Sequence, residues 1–163
     1  MADAEVTLRR AVSSDAAAIA RVLYNALTSL DRMPKPHIAE ADLSFIRETV
    51  LARRAVTVAQ ADAGIVGFMA IHEAWIDLLY VDPAWTGRGI GSRLLAVADR
   101  TMAGRAGIVE TKLYCFHSNV RACRFYERHG FRAQAFCNGS DSGGRVPDVL
   151  YVRSRPQAAL SLA

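Results

Sequence analysis

The chain has 163 residues, of which 52% are hydrophobic and 22% are charged, and its formal net charge is +4. This balance is typical of a single globular domain and excludes an intrinsically disordered chain. The positive charge comes mainly from arginines scattered along the chain, so we expect no nucleic-acid partner and only a mild attraction for small anions.

The first third of the chain predicts one strand and two helices. Residues 6–11 alternate weakly and predict the strand, and the Ser-Ser-Asp run at 13–15 contains residues that cap a following helix. Apolar residues at helical spacing carry that helix to about residue 29. Two prolines make 33–37 a loop, after which residues 40–53 predict the second helix.

The middle of the chain predicts three strands and a helix. Residues 55–61 and 65–71 are apolar and β-branched, and Gly64 between them permits the positive φ of a hairpin turn. Residues 76–81 predict the next strand. A glycine-rich turn follows, and residues 90–102 carry apolar side chains on one face, which predicts a helix.

The last third predicts three strands around one helix. The strands span 109–116, 131–136 and 149–152, and the helix spans 120–128 with Gly130 as its C-terminal cap. With the elements before them, they indicate an α/β protein with a mixed sheet.

Neither a repeat nor a linker divides the chain, so we expect one domain over residues 1–163. Its core is predicted at 5–153, and residues 156–163 are expected to form a frayed tail. The first residues lack the pattern of a signal peptide, and no apolar run reaches the ~20 residues of a membrane helix. We therefore expect a cytoplasmic protein with no membrane partner.

The turn between strand 76–81 and helix 90–102 carries the most informative pattern. Gly87, Gly89 and Gly91 lie within five residues, beside Arg88. Glycines let a backbone approach a ligand closely, and the amides and dipole of a helix start favour an anion. The turn therefore predicts a phosphate-binding cradle. A tight turn without a ligand is the alternative, although it needs fewer glycines.

Two common phosphate-binding motifs do not match this turn. No Gly-Lys-Ser/Thr follows, as a Walker motif requires, and the glycine spacing differs from the GxGxxG of a Rossmann fold. A small nucleotide hydrolase is therefore disfavoured.

The turn resembles the acetyl-CoA signature of the GNAT superfamily of N-acetyltransferases, Gln/Arg-x-x-Gly-x-Gly/Ala. In this register Thr86 stands where the family usually has Gln or Arg, which puts one side-chain contact in question and leaves the backbone cradle intact. The resemblance implies that amides of residues 88–92 hold the pyrophosphate of acetyl-CoA. It also implies that the backbone of Leu79 and Val81 pairs with the pantetheine arm.

Residues 119–131 resemble the second motif of the same family, Asn-x-x-Ala-x-x-x-Tyr-x-x-x-Gly-Phe. The resemblance places Asn119 near CoA and makes Tyr126 the acid that protonates the departing CoA thiolate, a reaction for which a phenol is competent. A core tyrosine is the alternative role. The acetyl-CoA-binding residues implied by both motifs are Leu79, Val81, Thr86, Gly87, Arg88, Gly89, Ile90, Gly91, Ser92, Asn119 and Tyr126.

An amine must lose a proton before it attacks a thioester, which calls for a general base. Strand alternation puts Glu73, Trp75, Asp77 and Leu79 on one face. In several relatives the base occupies the positions that match Trp75 and Asp77, and tryptophan cannot accept a proton. Asp77 is therefore the first candidate and Glu73 the second; acids that are solvated or paired with arginine are the alternative.

The histidines and cysteines carry weaker signals. His117 follows strand 109–116 and is a candidate for lining the acceptor site, whereas His72 is expected to be structural. Cys115, Cys123 and Cys137 are odd in number and form no CxxC, which argues against a disulfide framework and a zinc site. We expect direct acetyl transfer rather than an acyl-cysteine intermediate, and no metal.

The resemblance covers about residues 5–153 and implies a mixed, mostly antiparallel sheet of about seven strands flanked by about four helices. A V-shaped splay between neighbouring parallel strands would admit CoA. The implied activity is acetyl transfer from acetyl-CoA, as cosubstrate, to the primary amine of a small molecule or peptide, by an enzyme for which a homodimer is allowed. A non-catalytic CoA-binding sensor with the same fold is the alternative, and the sequence does not identify the acceptor.

Overall fold

The structure is a computed structural model that describes residues 5–30, 43–138 and 146–155. The strands are β1 (Thr7–Arg10), β2 (Ala55–Ala61), β3 (Gly64–His72), β4 (Trp75–Val81), β5 (Glu110–Phe116), β6 (Arg132–Cys137) and β7 (Asp148–Ser154). The helices are α1 (Ala16–Thr28), α2 (Phe45–Leu51), α3 (Ile90–Ala103) and α4 (Val120–Arg128). Two short 3₁₀ turns occupy Ser13–Asp15 and Pro83–Trp85.

The strands are hydrogen-bonded in the order β1-β2-β3-β4-β5-β7-β6. β1 with β2, β2 with β3, β5 with β7, and β6 with β7 are antiparallel pairs. β4 and β5 are parallel, with Trp75 opposite Lys112. The predicted mixed, mostly antiparallel sheet is confirmed, and the predicted splay stays a prediction.

The described residues fall into two compact units. The first unit contains the residues up to His72 together with Ile76–Thr101, and the second contains Glu73–Trp75 and the residues from Met102 onward. The first unit thus carries the glycine-rich turn, and the second carries the Asn119 to Gly130 motif. The single domain predicted over residues 1–163 stays a prediction.

The core of the first unit forms where α1 and α2 cover β2 and β3. Helical spacing buries one stripe of α1, and strand alternation supplies the facing side chains. The buried cluster comprises Ala16, Ile19, Val22, Ile46, Val50, Val56, Val58, Ile65, Phe68 and Ala70. Leu78 and Tyr80 pack against it from β4, and Asp77, the residue before Leu78, lies at the surface. The predicted register of β4 is therefore confirmed.

One local prediction in this unit is wrong, and another extends beyond the residues that the structure describes. The Ser-Ser-Asp run does not cap α1, since the structure gives that helix no side-chain cap. The carboxylate of Asp15 instead accepts two hydrogen bonds from Arg9, at 2.8 and 2.9 Å, and one from the Val12 amide at 2.8 Å. A guanidinium offers two parallel donors and competes well for a carboxylate. The helix predicted over 40–53 is present as α2, which is wound as a π-helix, and residues 40–42 lie outside the described residues.

Asp15 should make the stability of the protein depend on acidic pH. The hydrogen bond from Arg9 lowers the pKa of this buried carboxyl. The stabilisation that the ionised Asp15 gives the fold is therefore complete above the pKa of this carboxyl in the unfolded state. It is lost as the pH falls through the pKa of Asp15 in the folded state. We expect Asp15→Asn to lower the free energy of unfolding by about 1–3 kcal/mol at neutral pH. The variant's free energy of unfolding should also decrease less steeply than that of the wild type as the pH is lowered. Urea titrations across acidic pH measure both effects. Asp62→Asn, in an exposed turn, is the control that should change neither.

The core of the second unit forms where α4 packs on β5 and β7. Leu113, Phe131 and Tyr151 are almost completely buried there. Gly130 ends α4 with a φ of 84°, a left-handed conformation that glycine adopts without strain, as predicted for this cap. The predicted loop at 33–37, most of the segment that joins β6 to β7 and the tail at 156–163 lie outside the described residues. Among the described helices, none is long and apolar enough to span a membrane.

Candidate functional site

The glycine-rich turn of the first unit forms an open cradle of backbone amides. Gly87 and Gly89 have φ values of 80° and 75°. A Cβ placed on Gly89 would meet no atom within 4 Å, so the space in front of this residue is open. The first hydrogen bond of α3 runs from the Arg93 amide to the Gly89 carbonyl at 3.1 Å. The amides of Ile90 and Gly91 precede that bond, and such amides at a helix start attract anions.

Asp82 fixes the start of this turn. Its amide donates to the Val66 carbonyl at 2.8 Å, which ties the end of β4 to β3. Its carboxylate accepts from the Ala84 amide at 3.0 Å and from the Asn25 side chain on α1 at 2.8 Å. The cradle is therefore held from three directions before any ligand binds, and this preorganisation favours binding.

Gly67 on β3 lets the beginning of α3 lie close to the sheet. A Cβ on Gly67 would come within 3.2 Å of the Tyr80 carbonyl and within 3.3 Å of an Ile90 methyl group. Ile90 is itself buried, so its side chain anchors the helix while its amide stays at the cradle. The predicted role of Ile90 is consequently restricted to its backbone.

Two side chains of the turn, those of Thr86 and Arg88, make contacts with other residues of the turn. The Thr86 hydroxyl donates to the Pro83 carbonyl at 3.0 Å, so its proton is used within the turn. The Arg88 guanidinium lies over the Trp85 ring, 4.5 Å from its centre, in a cation–π contact. This contact holds the positive charge beside the cradle, where it complements a phosphate.

In the second unit, Asn119 and Tyr126 lie at the two positions that the second motif predicts on α4. The Asn119 side chain accepts from the Ala122 amide at 3.2 Å and is the N-cap of the helix. Tyr126 is buried, and its ring packs edge-to-face on Phe131 with 5.7 Å between the ring centres. The motif therefore has a structural role in starting this helix and seating its tyrosine, and its catalytic role stays a prediction.

The two candidate bases have different surroundings. Asp77 accepts a hydrogen bond from Arg54 Nε at 2.5 Å, which is the arginine pairing considered as its alternative role. Glu73 does not continue the face of β4. It lies in the two-residue turn between β3 and β4, with a φ of 52°. The prediction that Glu73 shares a strand face with Trp75 is wrong, because a tight turn needs a left-handed residue there and Glu73 occupies that position.

His117 lines a surface cavity in the second unit, and two of the cysteines of this unit lie close together. His117 contacts Phe136 edge-to-face at 5.0 Å, and both residues line a surface cavity of about 400 Å³ with Val149 and Tyr151. The Cys115 sulfur lies 3.7 Å from that of Cys123, and burial is the main cause that raises the pKa of Cys115. A buried thiol with a raised pKa is a poor nucleophile, which agrees with direct transfer.

His72 ends β3 at the surface, and Glu73 in the following turn is also exposed. Burial is the main cause that raises the pKa of the Tyr151 phenol, which donates to Glu127 at 2.9 Å.

In the described part of the chain, no group of three or more His, Cys, Asp or Glu side chains could hold a metal ion.

Sequence reasoning missed the partners that hold the site residues. Arg54 follows α2 and pairs with Asp77 across 23 positions of sequence, and Asn25 reaches Asp82 across 57. No local pattern indicates either contact. The Asp-Pro pair at 82–83 is a turn signal that could have identified the anchoring role of Asp82.

Comparisons with known proteins agree with this geometry. A family model described as an acetyltransferase (GNAT) domain matches residues 52–133. The N-acetyltransferase YafP of Escherichia coli K12 is 37% identical over 119 residues, which are 73% of this chain and 72% of that protein. A spermidine N(1)-acetyltransferase of Thermoplasma acidophilum is 33% identical over 85 residues, which are 50% of this chain and 52% of that protein. The crystal structure of PaiA N-acetyltransferase from Thermoplasma acidophilum, in complex with coenzyme A, has the same fold. Its TM-score is 0.71 at 22% identity, with 93% of this chain and 99% of that chain covered.

Proposed function

Since the chain belongs to the GNAT family of acetyltransferases, we propose that it transfers the acetyl group of acetyl-CoA to a primary amine of a small molecule or peptide. The observation that carries the proposal is the open amide cradle at the start of α3, next to the end of β4. A turn without a ligand would not require two left-handed glycines, one of them in front of open space.

We assign the pyrophosphate of acetyl-CoA to the amides of residues 88–92. Gly89 leaves the approach clear, Gly87 gives the turn its other left-handed residue, and the Arg88 charge adds attraction. Leu79 and Val81 offer backbone groups near the end of β4 to the pantetheine arm, and Thr86 flanks the cradle. Asn119, as the cap of α4, is included in the CoA site by its motif alone.

In the proposed reaction, the amine nitrogen attacks the thioester carbonyl carbon, the carbon–sulfur bond breaks, and the acetyl group stays on nitrogen. Tyr126 gives its phenolic proton to the departing thiolate, which leaves as the CoA thiol. Asp77 takes a proton from the amine, directly or through a water. Arg54 contacts Oδ2 of Asp77, so Oδ1 is the oxygen assigned to this task. Glu73 is the second candidate.

The spermidine acetyltransferase among the relatives makes aliphatic polyamines the first acceptors to test. The test measures CoA-thiol release with polyamines, amino acids, aminoglycosides and peptides with free N-termini. A sustained rate with at least one amine, above the rate of acetyl-CoA hydrolysis, supports the proposal. If acetyl-CoA raises the melting temperature and no amine is acetylated, the protein is the sensor instead.

Asp77→Asn tests the assigned base. This change keeps the shape of the side chain and removes its basicity. We expect kcat/KM to fall by roughly a hundredfold at neutral pH and to recover partly in alkali, where more of the amine is already neutral. A pH–rate profile of the variant with the best acceptor measures the effect.

Arg54→Leu is the matched control, because it breaks the same ion pair and keeps the carboxylate. It should retain most of the activity if Asp77 is the base. Equal losses in both variants, with the pH profile unchanged, would show that the pair is only structural.

A further inference from the structure

One oxygen of the buried Asp148 carboxylate lacks a hydrogen-bond donor. It is the first residue of β7 and is 3% exposed. Its Oδ1 is the single buried side-chain oxygen or nitrogen without a hydrogen-bond partner within the described residues. Buried carboxylates are usually hydrogen-bonded, as Asp15 is: its carboxylate accepts three hydrogen bonds. Because a buried carboxylate oxygen without a donor is costly, Oδ1 of Asp148 can accept a hydrogen bond from a ligand.

The sheet face that carries Asp148 is aromatic. β7 lies between β5 and β6, with Asp148 opposite Phe116 on β5, and Tyr114 lies two residues before Phe116 on the same face. Tyr114 is 45% exposed and stacks on Trp75 with 5.4 Å between the ring centres. The Lys112 ammonium already lies over Trp75, 5.9 Å from the ring centre. This face therefore accepts positive charge against its rings.

We propose that Asp148, on the same sheet face as Phe116 and Tyr114, binds an ammonium group of the acceptor. The donor that reaches Oδ1 must be narrow, because the residue is almost completely buried, and it must be cationic to offset the carboxylate. An alkylammonium meets both requirements. The acceptor is then an aliphatic diamine or polyamine, held by one nitrogen while another is acetylated. This inference rests on the proposed function for the acetylation and on Asp148 alone for the cation site.

The first measurement is the melting temperature without ligand. Asp148→Asn removes a buried charge whose Oδ1 has no hydrogen-bond donor, so we expect the melting temperature to rise. Asp15→Asn is the matched control, in which a paired buried carboxylate is removed and the melting temperature should fall. A fall with Asp148→Asn as well would show that the carboxylate has a structural partner and would overturn the proposal.

The second measurement is binding of 1,4-diaminobutane and of butylamine by calorimetry, with no acetyl-CoA present. We expect Asp148→Asn to weaken diamine binding by roughly ten- to a hundredfold, the usual effect of one lost charge-assisted hydrogen bond, and to leave acetyl-CoA affinity unchanged. Butylamine should bind the wild type more weakly than the diamine. Absence of diamine binding to the wild type, or equal diamine affinity in both proteins, would overturn the proposal.

The two proposals fail separately. Asp148-dependent binding of the diamine, in a protein that acetylates no amine, would support the cation site and contradict the proposed function. Acetylation of diamines with the same KM in wild type and Asp148→Asn would support the proposed function and overturn the cation site.

Discussion

Gly89→Glu should weaken acetyl-CoA binding by about a thousandfold. The substitution fills the open space of the cradle and adds a negative charge where the pyrophosphate is assigned. Two unit charges about 4 Å apart near a protein surface repel by about 4 kcal/mol, which corresponds to this loss of affinity. Gly91→Glu, two residues further along the chain, should also weaken acetyl-CoA binding. Calorimetric titration with acetyl-CoA measures the dissociation constants.

Two controls separate charge from strain. Gly89→Gln has the same bulk without the charge and should retain part of the affinity. Gly107→Glu places the same residue at another open left-handed glycine, with a φ of 83°, and should leave acetyl-CoA binding unchanged. Wild-type affinity in Gly89→Glu, with circular dichroism unchanged, would show that the pyrophosphate binds elsewhere.

Tyr126→Phe should lower kcat by roughly ten- to a thousandfold, the range expected when a general acid is lost. The substitution keeps the ring, which packs on Phe131 and Phe125. Folding and acetyl-CoA affinity should therefore remain close to those of the wild type. Steady-state kinetics with a saturating acceptor, together with a melting curve, measure both properties.

Tyr151→Phe is the control for losing a buried phenol in the same unit. Its hydroxyl donates to Glu127 at 2.9 Å, so we expect a loss of about 1 kcal/mol of stability and little change in kcat. If Tyr126→Phe keeps wild-type turnover, or both variants lose activity equally, Tyr126 is a core residue and the thiolate takes its proton from elsewhere.

The elements that local pattern determines were predicted closely. The α4 helix has the predicted bounds, because Asn119 caps its start and Gly130 its end. The β2–β3 hairpin and the inward face of β4 follow from alternation and one turn glycine. The π-winding of α2 was not predicted, since hydrophobic spacing alone does not distinguish it from an α-helix.

The candidate site was predicted only where backbone conformation determines it. Three glycines beside a helix start indicate a cradle from the sequence alone. The pairing of Asp77 with Arg54 and the burial of Asp148 depend on tertiary packing, which no local pattern encodes. Glu73 was misplaced because alternation was extended two residues too far, into a turn that lacks the glycine usual at such a position.

The most direct test of the account is product analysis of one reaction that contains the protein, acetyl-CoA and a reactive amine. Mass spectrometry and a thiol assay would follow the acceptor and the CoA together. The account predicts one acetylated amine nitrogen for each CoA thiol released, with both products lost in Gly89→Glu. Release of the CoA thiol with free acetate and an unmodified amine would contradict it, as would acetylation that persists in Gly89→Glu.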